Sequence, residues 1–346
     1  MTEMTIQRAL DMLGKFGHLQ ADEAEAVMNQ IMAGNATESQ IAAYLMALRM
    51  KGETPGEIVG SARAMRQQAH RVPTLYSPDD LLDTCGTGGD KSGTFNISTT
   101  VAFVAAAVGV PVAKHGNRAA SSKAGSADVL EALGVNINLS AEQVGQCVDQ
   151  IGIGFLFART LHPAMKYVAA PRRDMAIRTI FNILGPLTNP AGAKRQLMGV
   201  FSADLTPLLA HVLGELGAIS AMVVSGYGGL DELTTTGENT ISHYQNGKVD
   251  TYDLDPQSFG FSAAPIADLL GGTAEENAAI LRGILDGSIS GAKRDVVLLN
   301  AGAALVVAGK AQDIPNGIQL ADDAINSGAA LGKLNDLVHL SQAVSA

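Results

Sequence analysis

Tryptophan is absent from the 346 residues, cysteine occurs twice, and aromatic residues make up only 4%. Each shortage excludes something. Cys85 and Cys147 can build neither a disulfide framework nor a C-x-x-C metal site, and Cys85 reads as a small buried residue rather than a nucleophile. Few aromatic rings are available to stack bases, and a formal charge of −10 repels nucleic acid, so a nucleic-acid partner is not expected. The most apolar stretch, "TTVAFVAAAVGVPVA", is too short and too interrupted by Gly109 and Pro111 to span a membrane. The opening "MTEMTIQRALDMLGK" lacks the basic flank and unbroken apolar core of a signal peptide. A cytoplasmic globular protein without a membrane partner is expected, long enough for one large domain or two ordinary ones.

What is present begins with helices. "TESQIAAYLMALRMKG" puts Ile41, Tyr44, Leu45 and Leu48 on one face, opens with the Thr37/Gln40 capping pair and stops at Gly52. "TPGEIVGSARAMRQQA" follows, with Thr54 as cap, Pro55 at the first helical position and Glu57 closing the box. The first seventy or so residues are expected to be wholly helical, their apolar faces forming core or a subunit interface. From Leu81 the pattern alternates. "LLDTC", "VGVPVAKHG", "GVNINL", "GIGFLFA", "QLMGVF" and "AISAMVVSGYG" read as strands; "NISTTVAFVAAAVG", "SADVLEALG", "SAEQVGQCVDQ" and "LTPLLAHVLGELG" read as helices. That is an α/β domain with a mostly parallel sheet and right-handed crossovers. Asn246-Gly247 inside "TISHYQNGKVDTYDL" signals an attached antiparallel hairpin. The chain returns to helix at "TAEENAAILRGILDG", "RDVVLLNAGAALVVAG" and a last helix near "LVHLS".

Three polar segments follow strands, where open sheets collect ligand loops. In "DTCGTGGDKSGTFN", Asp83–Asn96, glycine removes the side chains that would hold an anion away from peptide N–H groups. The dinucleotide pattern would need glycine where Lys91 stands, and the nucleotide P-loop would need it at Asp90, so neither applies. "KHGNRAASSKAGSAD" sets Lys114, His115, Arg118 and Lys123 among small residues, a pattern that suits an anion. In "GYGGLDELTTTGEN", Asp231 and Glu232 offer the one or two carboxylates that Mg²⁺ takes. Taken singly each is compatible with a solvated turn; together they ask for a phosphorylated ligand with a metal-bridged diphosphate. A fourth segment, "HPAMKYVAAPRRDMAIRTIFNILGPLTNPAG", brings Arg172, Arg173 and Arg178 close to an apolar turn, as suits a planar organic acid.

The stretches "DTCGTGGDKSGTFNIST", "AKHGNRAASSKAGSADVLEALG", "RTIFNILGPLTNPA" and "DELTTTG", in this order, resemble the anthranilate phosphoribosyltransferase family of tryptophan biosynthesis, and the resemblance covers essentially the whole chain. It implies transfer of phosphoribose from 5-phosphoribosyl 1-diphosphate (PRPP) to the amine of anthranilate. It implies a PRPP site of Gly86, Gly89, Asp90, Thr94, Asn96, Ile97, Ser98 and Thr99 with Lys114, His115, Gly116, Asn117, Arg118, Ala119, Ala120, Ser121, Ser122 and Ser126. Anthranilate would meet Gly86, Asn117 and Arg172, with His115 and His162 lining its path, and Ser98, Asp231 and Glu232 would hold Mg²⁺, two ions per subunit. No covalent nucleophile is implied. The fold implied is a small helical domain, residues 1–72 with roughly 163–190, that forms a homodimer, beside an α/β PRPP domain of the nucleoside phosphorylase type, residues 73–162 with 191–346. Two other readings share this architecture. A pyrimidine nucleoside phosphorylase would not need Arg172 or "NILGPLTNP"; a noncatalytic nucleic-acid-binding relative would show a basic face and lose the acidic pair.

Overall fold

The computed structural model describes residues 4–119 and 123–345. Seven strands, β1 (Leu82–Gly86), β2 (Val112–Gly116), β3 (Ile153–Phe157), β4 (Arg195–Gly199), β5 (Ser220–Ser225), β6 (Asn239–Gln245) and β7 (Lys248–Leu254), form one sheet in the order β3-β2-β1-β4-β5-β6-β7. The first five run parallel; β6 and β7 are antiparallel. Asn246 and Gly247 turn the hairpin with φ of 53° and 76°, the left-handed pair that a tight two-residue turn needs. The chain lays β2 and β3 to one side of β1 and then returns to lay β4 on the other. Such a reversal opens a crevice at the carboxyl ends of the two central strands.

The five parallel strands are buried on both faces while the edge strand β7 is largely exposed, and the two-residue period of the strands sorts side chains between the faces. Leu197 of β4 with Met222 and Val224 of β5 join the large core that includes the helices Ile97–Ala107 and Ala292–Val307. Met198, Ala221 and Val223 point the other way, into a core shared with the N-terminal helices and the helix Leu205–Glu215. "GVNINL" is not a strand. Val135, Ile137 and Leu139 are buried, so the alternation is real, but the backbone N–H of Asn136 donates to Ser341 Oγ (3.0 Å) and that of Asn138 to Asn136 Oδ1 (3.0 Å). Side chains take the bonds that a neighbouring strand would have supplied.

The start is helical as expected: Ile6–Leu13, Ala21–Met32, Glu38–Lys51 and Pro55–Gln68. Ile41, Tyr44, Leu45 and Leu48 are all buried, so that stripe is core. Glu57 closes its capping box by accepting from Thr54 N (2.8 Å) and also takes Lys51 Nζ at 2.7 Å and Leu19 N at 3.0 Å. Removing either charge would strand the other at a cost of about 3–5 kcal/mol. Val168, Ile180, Phe181, Leu184 and Leu187 belong to the same core as these helices. Arg66 fixes the join, donating to Leu187 O (2.7 Å) and Leu216 O (3.0 Å). Among the described residues no helix is long and apolar enough to cross a membrane.

Candidate active site

β1 and β4 end side by side at Gly86 and Gly199, and the loop from β5 folds back onto both. A Cβ on Gly86 would lie 2.4 Å from Asp231 Oδ2, and one on Gly199 only 1.6 Å from the Asp231 carbonyl oxygen. Bare backbone at the strand ends is therefore what seats the acidic loop. The glycine loop then hangs between fixed points: Thr87 N donates to Gly199 O (2.9 Å), Gly88 N to Asp231 Oδ2 (2.6 Å), and Ser92 to Asp90 through its N (3.1 Å) and Oγ (2.7 Å). Gly88, Gly89 and Gly93 all have positive φ, and Thr94 bridges to Leu270.

The adjacent carboxylate caps a helix. Glu232 Oε1 accepts from Ser98 N at 3.1 Å, in the first turn of Ile97–Ala107. Asp231 and Glu232 are half-buried rather than exposed in a solvated turn. Burial, and then Asp90, push the Asp231 carboxyl up to about 7; burial, and then Asp231, push Glu232 up to about 8. Carboxylates crowded away from water are short of positive charge, since Lys114 offsets Glu232 only in part, and an oxygen-only donor pair beside the Ser98 hydroxyl fits a hard divalent cation. Among the described residues no group of three or more His, Cys, Asp or Glu is placed to hold a metal, so a Zn²⁺-type cage is not present there.

β2 delivers the second segment to the same crevice. Lys114 Nζ donates to Thr84 O, Thr84 Oγ1 to Ser98 O (3.0 Å), so a short chain of bonds links the lysine to the helix start that Glu232 caps. Burial lowers the Lys114 pKa, with Asp83 opposing. Asp83, pushed up to about 6 by burial, accepts from His115 N (3.0 Å) and Asn189 Nδ2 (2.8 Å), and Asn189 also donates to Ala113 O (2.8 Å). Asn96 Nδ2 reaches Ala124 O (3.3 Å) while Asn277 Nδ2 donates to its Oδ1 (3.0 Å). Ser126 Oγ holds Asn117 O at 3.2 Å, and a Cβ on Gly116 would strike that hydroxyl. Arg118 turns away from the glycine loop to pair with Asp128 (2.7 Å) and Glu131 (2.9 Å), while Ala119 N donates to Asp128 Oδ2 (3.0 Å). Ala120, Ser121 and Ser122 lie outside the described residues. Asp83, Asn189, Asn277 and Gly199 were not singled out as site residues; Asp83 and Asn189 do stand within the quoted motifs.

His115 and His162 face each other with ring centroids 5.1 Å apart, and the Nε2 of each is buried without a partner among the described residues, as are the hydroxyls of Thr87 and Thr99. Unpartnered buried polar atoms are what a bound ligand would satisfy. Burial lowers both histidines, His162 to about 4, so both rings are neutral near pH 7. The three arginines of the fourth segment separate. Arg172 lies over the Phe181 ring at 5.1 Å, its pKa lowered by burial; Arg173 is exposed and pairs with Asp174 (3.0 Å); Arg178 reaches the glycine loop, donating to Gly89 O.

Comparison with known proteins agrees with this geometry. The a/b-domain profile of a glycosyl transferase family matches residues 78–331, and the helical-bundle profile of such a family matches residues 7–69. The chain is 53% identical over 336 residues to the anthranilate phosphoribosyltransferase of Pelotomaculum thermopropionicum, covering 97% of this chain and 96% of that one. It is 52% identical to that of Laribacter hongkongensis, over 99% and 100%. The crystal structure of the Thermus thermophilus anthranilate phosphoribosyltransferase superposes with a TM-score of 0.92 at 46% identity, covering 96% of this chain and 99% of that one. The Saccharomyces cerevisiae enzyme in complex with PRPP and Mg superposes with 0.89 at 26% identity, covering 98% of each.

Proposed function

The chain belongs to the anthranilate phosphoribosyltransferase family, and from that premise we propose which of its residues move phosphoribose from PRPP to the amine of anthranilate, releasing diphosphate. The observation that carries the reading is the convergence of the glycine loop, the helix start and the acidic pair through Gly88 N to Asp231 (2.6 Å) and Ser98 N to Glu232 (3.1 Å). Gly86, Gly89, Asp90 and Thr94 present loop backbone to the phosphates, and Asn96, Ile97, Ser98 and Thr99 extend that surface along the helix start. Lys114 lies beneath it, and Gly116 and Asn117 line the ribose side with Ser126. Arg118 and Ala119 continue this wall and are held in place by Asp128.

Ser98, Asp231 and Glu232 would hold Mg²⁺, two ions per subunit, and bound there Mg²⁺ would neutralise charge that grows on departing diphosphate. Arg172 supplies the cation for the anthranilate carboxylate, with Asn117 and Gly86 beside the ring. The neutral His115 and His162 line the approach. Transfer breaks the bond from the ribose C1 to diphosphate and forms one from the amine nitrogen to C1, and the amine proton leaves to solvent. An aromatic amine is unprotonated near pH 7, so no base is required, and the chain's contribution is to hold amine and C1 in line. The yeast relative is named as a complex with PRPP and Mg, and another yeast structure as one with 4-fluoroanthranilate, which supports the same pair of substrates here.

Residues 163–190 join the N-terminal helices as one unit, since they share its core, and that unit forms a homodimer through exposed Phe16, Met46 and Met50. A soluble cytoplasmic enzyme follows from this reading. The direct experiment follows anthranilate fluorescence on mixing with PRPP and Mg²⁺. It should disappear; unchanged fluorescence, together with phosphorolysis in a separate mixture of the protein with a pyrimidine nucleoside and inorganic phosphate, would replace this function with the phosphorylase one.

A further inference from the structure

Arg178 has no part in the transfer as set out above, yet it crosses between the two substrate sides. It stands between the helix Lys166–Met175, which carries Arg172, and the short helix Phe181–Leu184. Its guanidinium lies 3.8 Å from the centre of the Phe201 ring, just past the end of β4, and its Nη2 donates to the carbonyl of Gly89. A stacked guanidinium is held in plane and presents its N–H fork in a fixed direction. A Cβ on Gly89 would sit 3.5 Å from that Nη2, so the glycine backbone and the arginine meet closely. The other bonds described for this loop come from its own Asp90 and Ser92, from the sheet side at Gly199 and Asp231, and at its far end from Gly271 N to Gly93 O (2.9 Å) beside the Thr94–Leu270 bridge, so none of them holds the Gly89–Asp90 peptide oxygen. Gly88, Gly89 and Gly93 leave the loop many backbone states, so a contact from the opposite side selects among them.

We propose that Arg178 is a positioning residue for the donor site: it fixes the Gly89–Asp90 peptide from the acceptor side of the crevice and so sets the loop that receives PRPP. In a trans peptide the N–H points opposite to the carbonyl, so holding the Gly89 oxygen aims the Asp90 N–H away from the arginine, toward the donor side. Phe201 acts with it by holding the guanidinium plane. The proposal rests on the reading that this loop binds PRPP.

The test measures two things in Arg178→Ala, Arg178→Lys and Phe201→Leu: hydrogen exchange of the amides from Gly86 to Gly93 in the free protein, and the separate Michaelis constants. Exchange should quicken in all three. The KM for PRPP should rise about tenfold in Arg178→Ala, the size of one charge-assisted hydrogen bond, with a much smaller change for anthranilate. Lysine should restore little, because it keeps the charge but cannot stack as a plane. Full rescue by lysine, or a rise confined to anthranilate, would mean direct contact with a substrate and overturn the proposal, as would unchanged exchange. Faster exchange with an unchanged PRPP constant would also overturn it, and Asp90→Asn measured alongside tells whether the loop's assignment to PRPP falls too. Should Arg178→Ala not fold, Phe201→Leu carries the same two measurements.

Discussion

Among the arginines of "PRRDMAIR" only Arg172 is both partly withdrawn from water and without an oxygen partner for its guanidinium among the described residues: Arg173 is exposed and has Asp174, and Arg178 serves the Gly89 carbonyl. A half-buried guanidinium over an aromatic ring is incomplete until an anion reaches it, which suits the carboxylate of anthranilate. Arg172→Ala should therefore cost about 1.5–3 kcal/mol in anthranilate use, a tenfold or larger rise in its KM, while the KM for PRPP moves far less. Equal rises in both constants would take Arg172 out of this role. At this scale the sequence was most readable where the chemistry is local. "GTGGD" and "DE" declare themselves because each motif's residues adjoin along the chain. Asp83 escaped notice because its partner Asn189 is 106 residues away, and the turning of Arg118 toward Asp128 depends on how the next helix is placed. The acidic pair was legible as chemistry, but its burial arises only when the loop packs onto Gly86 and Gly199.

Elements were legible where period and caps agreed. The helices Glu38–Lys51 and Pro55–Gln68 begin at the expected capping boxes. "GVNINL" has the alternation of a strand, but alternation reports burial of every second side chain and says nothing about who takes the backbone bonds; here Ser341 and Asn136 do. The helix Ile314–Asn326 was missed because Pro315, Asn316 and Gly317 resemble a turn. Pro315 sits in the first turn, where no N–H is needed, and Gly317 lets the helix approach Gly302, whose carbonyl a Cβ would meet at 2.4 Å. The helix Glu38–Lys51 also has a second apolar face. With Ile41, Tyr44, Leu45 and Leu48 spent in the core, Met46 (43% exposed) and Met50 (69% exposed), four residues apart, remain near the water with Phe16 (65% exposed). If this face joins two copies, wild type should scatter light as a dimer and Met50→Glu as a folded monomer. A monomeric wild type at micromolar concentration would contradict the interface.

In the whole molecule, chain reversal between β3 and β4 brings segments more than a hundred residues apart to one crevice. The glycine loop after β1, "KHGN" after β2 and the acidic loop after β5 meet there, with the arginine segment alongside. The helical unit and the sheet share the core on one face of β4 and β5, so the arginine segment is built against strands that also carry the acidic loop. The central claim is that Asp231 and Glu232 are kept close and half-buried in order to hold Mg²⁺ against a leaving diphosphate. Replacing both, Asp231→Asn with Glu232→Gln, removes crowded charge while keeping shape. Because burial and repulsion hold both carboxyls above their ordinary range, thermal stability should stay level or rise. Turnover should fall steeply, since the lost interaction is worth several kcal/mol and is greatest when charge has moved onto diphosphate. The measurement is the turnover of this double variant against Mg²⁺ concentration, with anthranilate KM and melting temperature recorded on the same protein. The account predicts collapsed turnover with intact folding and nearly unchanged anthranilate KM; wild-type turnover at limiting Mg²⁺ would contradict it.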